Sequence, residues 1–181
     1  MDTVTIFSTP SQEGDGLSHA HFYRSAQLYT GLTPEQLGAI QVTAWGKPFL
    51  PQHPDLHFSI SHSGEWWLCA FASAPIGIDI QIHRSHLPPE TLSPRFFHPV
   101  EDRFLALEDY RSFFDLWCAK ESWVKFLGTG FSQDPESFSV VSADGSFPCI
   151  PGVSLQLHPF APGYSLCLCA RTPVQIHLRS L

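Results

Sequence analysis

Positive charge is scarce in this sequence: 10 Lys and Arg stand against 17 Asp and Glu in 181 residues, a formal net charge of −7. General nucleic-acid binding draws its affinity from Lys and Arg that neutralise phosphates, so this balance argues against it. A small anionic ligand needs only a local cluster of positive charge and stays open. Charged residues amount to only 15%, while hydrophobic residues reach 43%, a folded composition and not a disordered one. No apolar run approaches membrane-spanning length, and the N-terminus lacks the basic-then-apolar order of a signal peptide. The expectation is a soluble, cytoplasmic chain with no membrane partner. No CxxC pair occurs, and the five cysteines are an odd set. Cys167-x-Cys169 alternates with apolar residues as strand packing does, which argues against a disulfide framework or a structural zinc site.

Turn formers are plentiful instead, with 16 prolines and 12 glycines. Val4 to Phe7 reads as a short strand, followed by a loop of Pro, Ser, Gly and acids. Ser18 to Thr30 reads as a helix with Phe22, Ala26 and Tyr29 on one face and Gly31 as its stop. Thr33-Pro34-Glu35-Gln36 is a helix start, with a threonine cap, a proline and a glutamine in the capping-box position. A short strand is expected near Val42. Phe58 to Ser61 alternates as a strand, His62 to Glu65 is expected to turn, and Trp66 to Ala72 runs back. Pro75 introduces the strand Ile76 to Ile82. Helices are expected over Val100–Leu107 and Tyr110–Leu127, a hairpin around Asp144-Gly145, and final strands over Tyr164–Ala170 and Gln175–Leu178. Lys47-Pro48 to Ala70 is echoed by Phe147-Pro148 to Ala170. Two related halves, or chance similarity of two proline-flanked hairpins, would produce this echo.

In the strand Ile76 to Ile82 the four isoleucines share one face, and Gly77, Asp79 and Gln81 share the other. The apolar face fixes the register, so Asp79 is held rigidly, and Gly77 leaves room for a ligand or a close backbone. In Phe113 to Leu127, Phe113, Leu116, Trp117, Val124 and Leu127 form the buried stripe. Glu121 and Lys125 follow Trp117 at i, i+4 steps along its edge. Lys120 falls inside the stripe, which asks for an anionic neighbour. Taken singly, an exposed Asp and a surface Glu–Lys pair explain these features. Taken together, Asp79 and Glu121 are hard oxygen ligands suited to Mg²⁺, and Lys125 is placed for a phosphate that the same metal would bind.

The ordered set Gly46-Lys47-Pro48, Ser61-His62-Ser63-Gly64, Gly77-Ile78-Asp79 and Trp117-x-x-Lys120-Glu121-Ser122-x-x-Lys125 resembles the signature of the 4′-phosphopantetheinyl transferase superfamily. The likeness is greatest to its single-chain, Sfp-type members, and Phe96-Phe97 before an acidic helix matches the intervening segment. The resemblance implies an α+β fold of two similar halves, 1–75 and 76–181, packed side by side with the active site at their interface. It implies Mg²⁺-dependent transfer of 4′-phosphopantetheine from coenzyme A to a serine of an acyl or peptidyl carrier protein, releasing 3′,5′-ADP. Asp79 and Glu121 would ligate Mg²⁺, with Gln81 reaching it through water. Glu121 would take the serine proton, and Lys125 would stabilise the phosphates. Lys47, Ser61, His62 and Lys120 would hold coenzyme A, with Arg24 the candidate for its 3′-phosphate. Arg84, Arg95, Phe96, Phe97 and Arg103 would meet the carrier. A monomer is expected from the family type.

Two departures stand out. Gln81 occupies a position where many members carry a second acid, so metal affinity should be weaker. Before Arg84 the only Lys and Arg are Arg24 and Lys47, few for a ligand with about four negative charges. Histidines such as His19, His21 and His62 would share that task, at a loss as pH rises. Two alternatives remain: a catalytically weak or inactive homologue that binds coenzyme A or a carrier, and an unrelated two-carboxylate hydrolase. The latter lacks an HxxE, HExxH or DxD pattern.

Overall fold

The computed structural model describes every residue except Gln12, Glu13, Asp15 and residues 131–133. The loop expected after the first strand falls partly on those undescribed residues. Strand β1 (Thr3–Pro10) is followed by α1 (Ser18–Thr30), α2 (Pro34–Leu37), the short β2 (Gln41–Val42) and β3 (Pro48–Phe49), and the hairpin β4 (His57–Ser63) and β5 (Trp66–Ala72). The second series begins with β6 (Ile76–Ile82) and continues through α3 (Pro89–Phe96), α4 (Pro99–Leu107) and α5 (Phe113–Leu127). It ends in β7 (Ser154–Leu157), β8 (Tyr164–Ala170) and β9 (Gln175–Ser180). Both series read strand, helices, hairpin, and their sheets have the same order, β4-β5-β1 and β7-β8-β6. The last strand crosses back: β9 pairs in parallel with β1, Val4 opposite Ile176 and Ile6 opposite Leu178, and completes the first sheet.

Strand alternation decides how the sheets pack. Val4 and Ile6 of β1, with Leu68, Ala70 and Ala72 of β5, face Ile76, Ile78, Ile80, Leu166, Leu168 and Ala170 of the second sheet. The opposite face of the first sheet, with Phe7, Cys69 and Phe71, is covered by Phe22 and Ala26 of α1. Cys167 on the outer face of β8 belongs to the cluster that includes Leu116 and Ala119 of α5. All five cysteines are free.

The sheets are also joined edge to edge. Ser59 and Ser61 of β4 stand opposite Ala70 and Leu68 of β5, on the face that meets the second sheet. Their hydroxyls, with that of Ser63, accept hydrogen bonds from the backbone N–H groups of Ile78, Ile80 and Ile82 at 3.0, 3.1 and 3.0 Å. The constant offset of 19 residues shows that β4 and β6 run in the same direction. Three serine side chains thus replace a backbone ladder.

Local sequence accounts for most elements. Thr33 and Gln36 form the capping box of α2, and His98 with Glu101 forms a second at α4. Helix α5 ends at Gly128, whose φ of 72° is left-handed and suits glycine. Some expectations differ. His62 and Ser63 continue β4, because Ser63 is drawn into the seam, and the turn is confined to Gly64-Glu65. Helix α3 forms despite Pro94 within it. The hairpin expected around Asp144-Gly145 is a loop closed by Ser142 N–H to Ser146 O and Cys149 N–H to Val140 O.

Helix α5 lies directly on β6 at Gly77. A Cβ there would stand 2.0 Å from the Ser122 carbonyl oxygen and 2.3 Å from the Phe126 nitrogen. Both are backbone atoms, so the helix itself would have to move. Gly77→Ala is expected to destabilise the chain by about 3 kcal/mol, the upper range of overpacking, and to lower the melting temperature by roughly 6–12 °C. Calorimetry checks this; an unchanged melt would mean that α5 does not rest on β6 at this point.

Candidate active site

The contact at Gly77 brings the next outward residue of β6, Asp79, beneath the middle of α5. Asp79 is only 5% exposed. Its Oδ1 accepts from the Lys125 ammonium at 2.6 Å and from the Ser61 hydroxyl at 2.9 Å. Lys125 Nζ also donates to Ser61 Oγ at 3.0 Å. Ser61 is therefore the meeting point of the seam and the charged pair: it receives Ile80 N–H and Lys125 and gives its own proton to Asp79. Oδ2 of Asp79 is buried with no hydrogen-bond partner among the described residues, an open acceptor in a site of hard oxygens. Asp79, Glu121, Lys125, Ser61, His62, Gln81 and Trp117 line one cleft of about 440 Å³. A second lobe of about 430 Å³ shares Ile60, Glu121 and Lys125 with the first and runs to Trp45, Gly46, Pro48 and Phe58. Burial raises the Glu121 carboxyl above the ordinary glutamate value; Asp79 adds to the rise and Lys125 opposes it.

The structure thus brings Asp79, Gln81, Glu121, Lys125, Ser61 and His62 to one cleft wall. Gln81 spends an amide proton on the Ile82 carbonyl at 3.2 Å. Four other expectations do not fit the geometry. Lys120 is 3% exposed and faces away from the cleft. Its ammonium donates to both oxygens of Glu101 at 2.9 and 2.7 Å and to Phe138 O at 2.7 Å. The anionic neighbour that its buried position demanded is a carboxylate of this chain, so Lys120 has no proton left for coenzyme A. Burial pulls its pKa down and Glu101 opposes the shift. Phe97 is 3% exposed and packs against Phe113 and Trp117, so it is a core residue and not a docking one. Lys47 lines the second lobe, but its ammonium points to backbone carbonyls of α5. Arg24 is exposed on α1 and lines neither lobe. Phe96, 45% exposed, and Arg84 line an adjoining groove of about 240 Å³ with Leu87, Leu92, Phe113 and Phe114, and this groove shares Gln81 and Trp117 with the cleft. Arg95 and Arg103 are exposed on α3 and α4.

Residues 75–169 match the family model described as the 4′-phosphopantetheinyl transferase superfamily. Two Bacillus subtilis proteins also match. A 4′-phosphopantetheinyl transferase is 38% identical over 167 residues, covering 82% of this chain and 69% of the relative. The 4′-phosphopantetheinyl transferase Sfp of strain 168 is 38% identical over 143 residues, covering 71% and 61%. The chain belongs to the 4′-phosphopantetheinyl transferase superfamily. A human relative, L-aminoadipate-semialdehyde dehydrogenase-phosphopantetheinyl transferase, is 32% identical over 108 residues, 50% of this chain and 35% of the relative. The matched stretch thus spans three fifths to about two thirds of the Bacillus subtilis transferases and about a third of the human one.

Within this superfamily fold, sequence reasoning missed two features of the site. Glu101, fully buried, accepts from Lys120, from Val140 N–H and from His98 N–H, and so ties α4 and the 138–140 segment to α5. Its capping-box position in His98-Pro99-Val100-Glu101 was the available signal. Trp45 is 59% exposed at the mouth of the second lobe; a large apolar side chain next to a Gly-Lys-Pro turn was visible without the fold.

The raised Glu121 pKa has a stability consequence. In metal-free protein the folded state binds this proton more tightly than the unfolded chain does. Stability therefore falls as pH rises from the ordinary glutamate range through the folded-state pKa, and the loss is complete above that pKa. Glu121→Gln, which cannot ionise, is expected to melt higher than wild type at neutral pH, with the difference shrinking in mild acid. Thermal melts in EDTA across that range test this; a difference independent of pH would show that the carboxylate is not strained by burial.

Proposed function

We propose that this chain transfers 4′-phosphopantetheine from coenzyme A to a carrier-protein serine, with Mg²⁺, releasing 3′,5′-ADP. The observation that carries the reading is the convergence of Asp79, Glu121 and Lys125 on one cleft at the seam between the sheets. Family membership and the names of the relatives support it.

Among the described residues no group of three or more His, Cys, Asp or Glu side chains is placed to hold a metal ion. Two carboxylates with an open buried oxygen nevertheless suit Mg²⁺, whose usual sites combine one or two carboxylates with substrate phosphates and water. Asp79 and Glu121 would hold the ion, which when bound neutralises pyrophosphate charge and polarises it toward attack. Glu121 accepts the carrier serine's proton, a role that its raised pKa serves. The serine oxygen bonds to the β-phosphorus, and the bond from that phosphorus to the bridging oxygen breaks. The electron pair leaves on 3′,5′-ADP. Lys125 stabilises the charge that develops there. The apolar lobe with Trp45 takes the adenine, and His62, exposed at the rim, faces the phosphates.

The groove beside the cleft, with Phe96 and Arg84, is proposed to receive the carrier. One wall is fixed: His83 stacks on Phe114 at 4.9 Å, and its Nε2 lies 2.8 Å from the Ser165 hydroxyl, which donates to Asp115. Gln81 favours one alternative, a weak or inactive homologue, because an amide brings no charge to the metal.

Intact-mass spectrometry of apo carrier proteins incubated with this protein, coenzyme A and Mg²⁺ decides between them. The expected gain is one phosphopantetheine, lost in EDTA and slowed about 10²–10⁴-fold in Glu121→Ala, the usual worth of a general base. No gain on any carrier while coenzyme A still binds by calorimetry would establish the inactive reading. Gln81→Glu is expected to lower the Mg²⁺ concentration for half-maximal rate roughly tenfold, since an added carboxylate near the ion contributes strongly at an effective dielectric of about 20. An unchanged requirement would place residue 81 outside the metal's reach.

A further inference from the structure

The chain has only three lysines, Lys47, Lys120 and Lys125, and Lys47 is the one whose ammonium meets no carboxylate among the described residues. Its Nζ lies 2.8 Å from Lys125 O, 3.1 Å from Phe126 O and 3.5 Å from Ile76 O. The first two are among the terminal carbonyls of α5 that have no partner within the helix, where a cation is favoured by the helix dipole. The third opens β6. The aliphatic stem runs beside Gly128, where a Cβ would stand 2.7 Å from Lys47 Cδ. The turn that carries Lys47 is itself fixed: Thr43 N–H donates to Lys47 O at 2.9 Å, and Lys47 N–H donates to Thr43 Oγ1 at 3.1 Å.

We propose that Lys47 is a positioning residue of the transfer reaction, a strut that sets the end of α5 against β6, and not a ligand of the coenzyme A phosphates. The carbonyl it holds belongs to Lys125, whose own ammonium reaches Asp79, and Glu121 lies one helical turn before it. Its second anchor, at Ile76, starts the strand that carries Asp79 three residues later. One amino group therefore fixes the two elements whose separation defines the cleft, from a turn in the N-terminal half. Burial depresses the Lys47 pKa, as expected for an ammonium held by carbonyls alone. This role rests on the proposed transferase reading, and the test separates the two.

The experiment compares Lys47→Met and Lys47→Gln with wild type in steady-state transfer to a carrier, using coenzyme A and 3′-dephospho-coenzyme A. It adds hydrogen exchange of the α5 C-terminal amides. Lys47→Met is expected to lower kcat about 10- to 100-fold, the range in which displacements near 1 Å act, with KM for either substrate within about threefold of wild type. Lys47→Gln, neutral but still able to donate to carbonyls, is expected to recover most of kcat. A KM for coenzyme A raised tenfold or more in both variants, with the effect absent for 3′-dephospho-coenzyme A, would make Lys47 a phosphate ligand and overturn the proposal. Exchange needs no turnover: amides at the end of α5 are expected to exchange faster in Lys47→Met and near the wild-type rate in Lys47→Gln. Unchanged exchange in both variants would overturn the strut, whereas a wild-type protein that transfers nothing would instead defeat the transferase reading.

Discussion

The site depends on how an open strand edge is closed. β6 is the outer strand of its sheet, and Ile78, Ile80 and Ile82 turn their N–H groups away from β8 toward β4. Leaving such buried groups unpaired would cost about 1–3 kcal/mol each. The Ser59, Ser61 and Ser63 hydroxyls meet them, and a serine every second residue matches a strand's repeat. Because all three contacts keep one offset, β6 cannot slip relative to β4 without breaking the set. The position of Asp79 is therefore set by the neighbouring sheet as well as by its own, and Ser61 extends the same constraint to Lys125.

Helix α5 is fixed by contacts of different kinds along its length. Gly77 lets its backbone approach β6, the Glu101–Lys120 pair holds its middle to α4, and Lys47 holds its end. Lys120 precedes Glu121 directly, so the buried pair fixes the helix rotation that turns Glu121 into the cleft. A buried ion pair is weak support for stability, because desolvation offsets much of the attraction. Its use here is orientation: a fully satisfied Glu101, accepting also from two backbone N–H groups, leaves α5 no equivalent second rotation.

The faces of the elements were legible in the sequence, whereas their partners were not. Alternating isoleucines placed Asp79 and Gln81 on one side of β6, and the i, i+4 steps placed Glu121 and Lys125 on one edge of α5; both hold. Lys120 was rightly read as a buried lysine in need of an anion, but the sequence does not say which anion, and Glu101 is nineteen residues away. Lys47 was open for the same reason: a lysine in a Gly-Lys-Pro turn can reach a phosphate or a helix end, and only tertiary contact shows its ammonium at the end of α5. Phe97 could not be separated from Phe96, because adjacent residues at a helix end point in different directions by amounts that packing sets. The return of β9 to the first sheet had no local signal at all, since Gln175–Ser180 alternates much as any exposed edge strand does.

The charge balance of the cleft follows from these placements. Lys120 and Lys47 are committed elsewhere, so Lys125 is the only lysine facing Asp79 and Glu121. Lys125 pairs with Asp79, which leaves Glu121 as the excess negative charge in a half-buried setting, and Asp79 contributes to the rise in its pKa. An acid at position 81 would add a second uncompensated charge beside Glu121 and oppose the approach of a polyanionic substrate. Glutamine there removes that repulsion and weakens the pull on a cation at the same time. In a chain with so few lysines and arginines, lowering the negative charge of the site is a route to anion binding that needs no further positive residue.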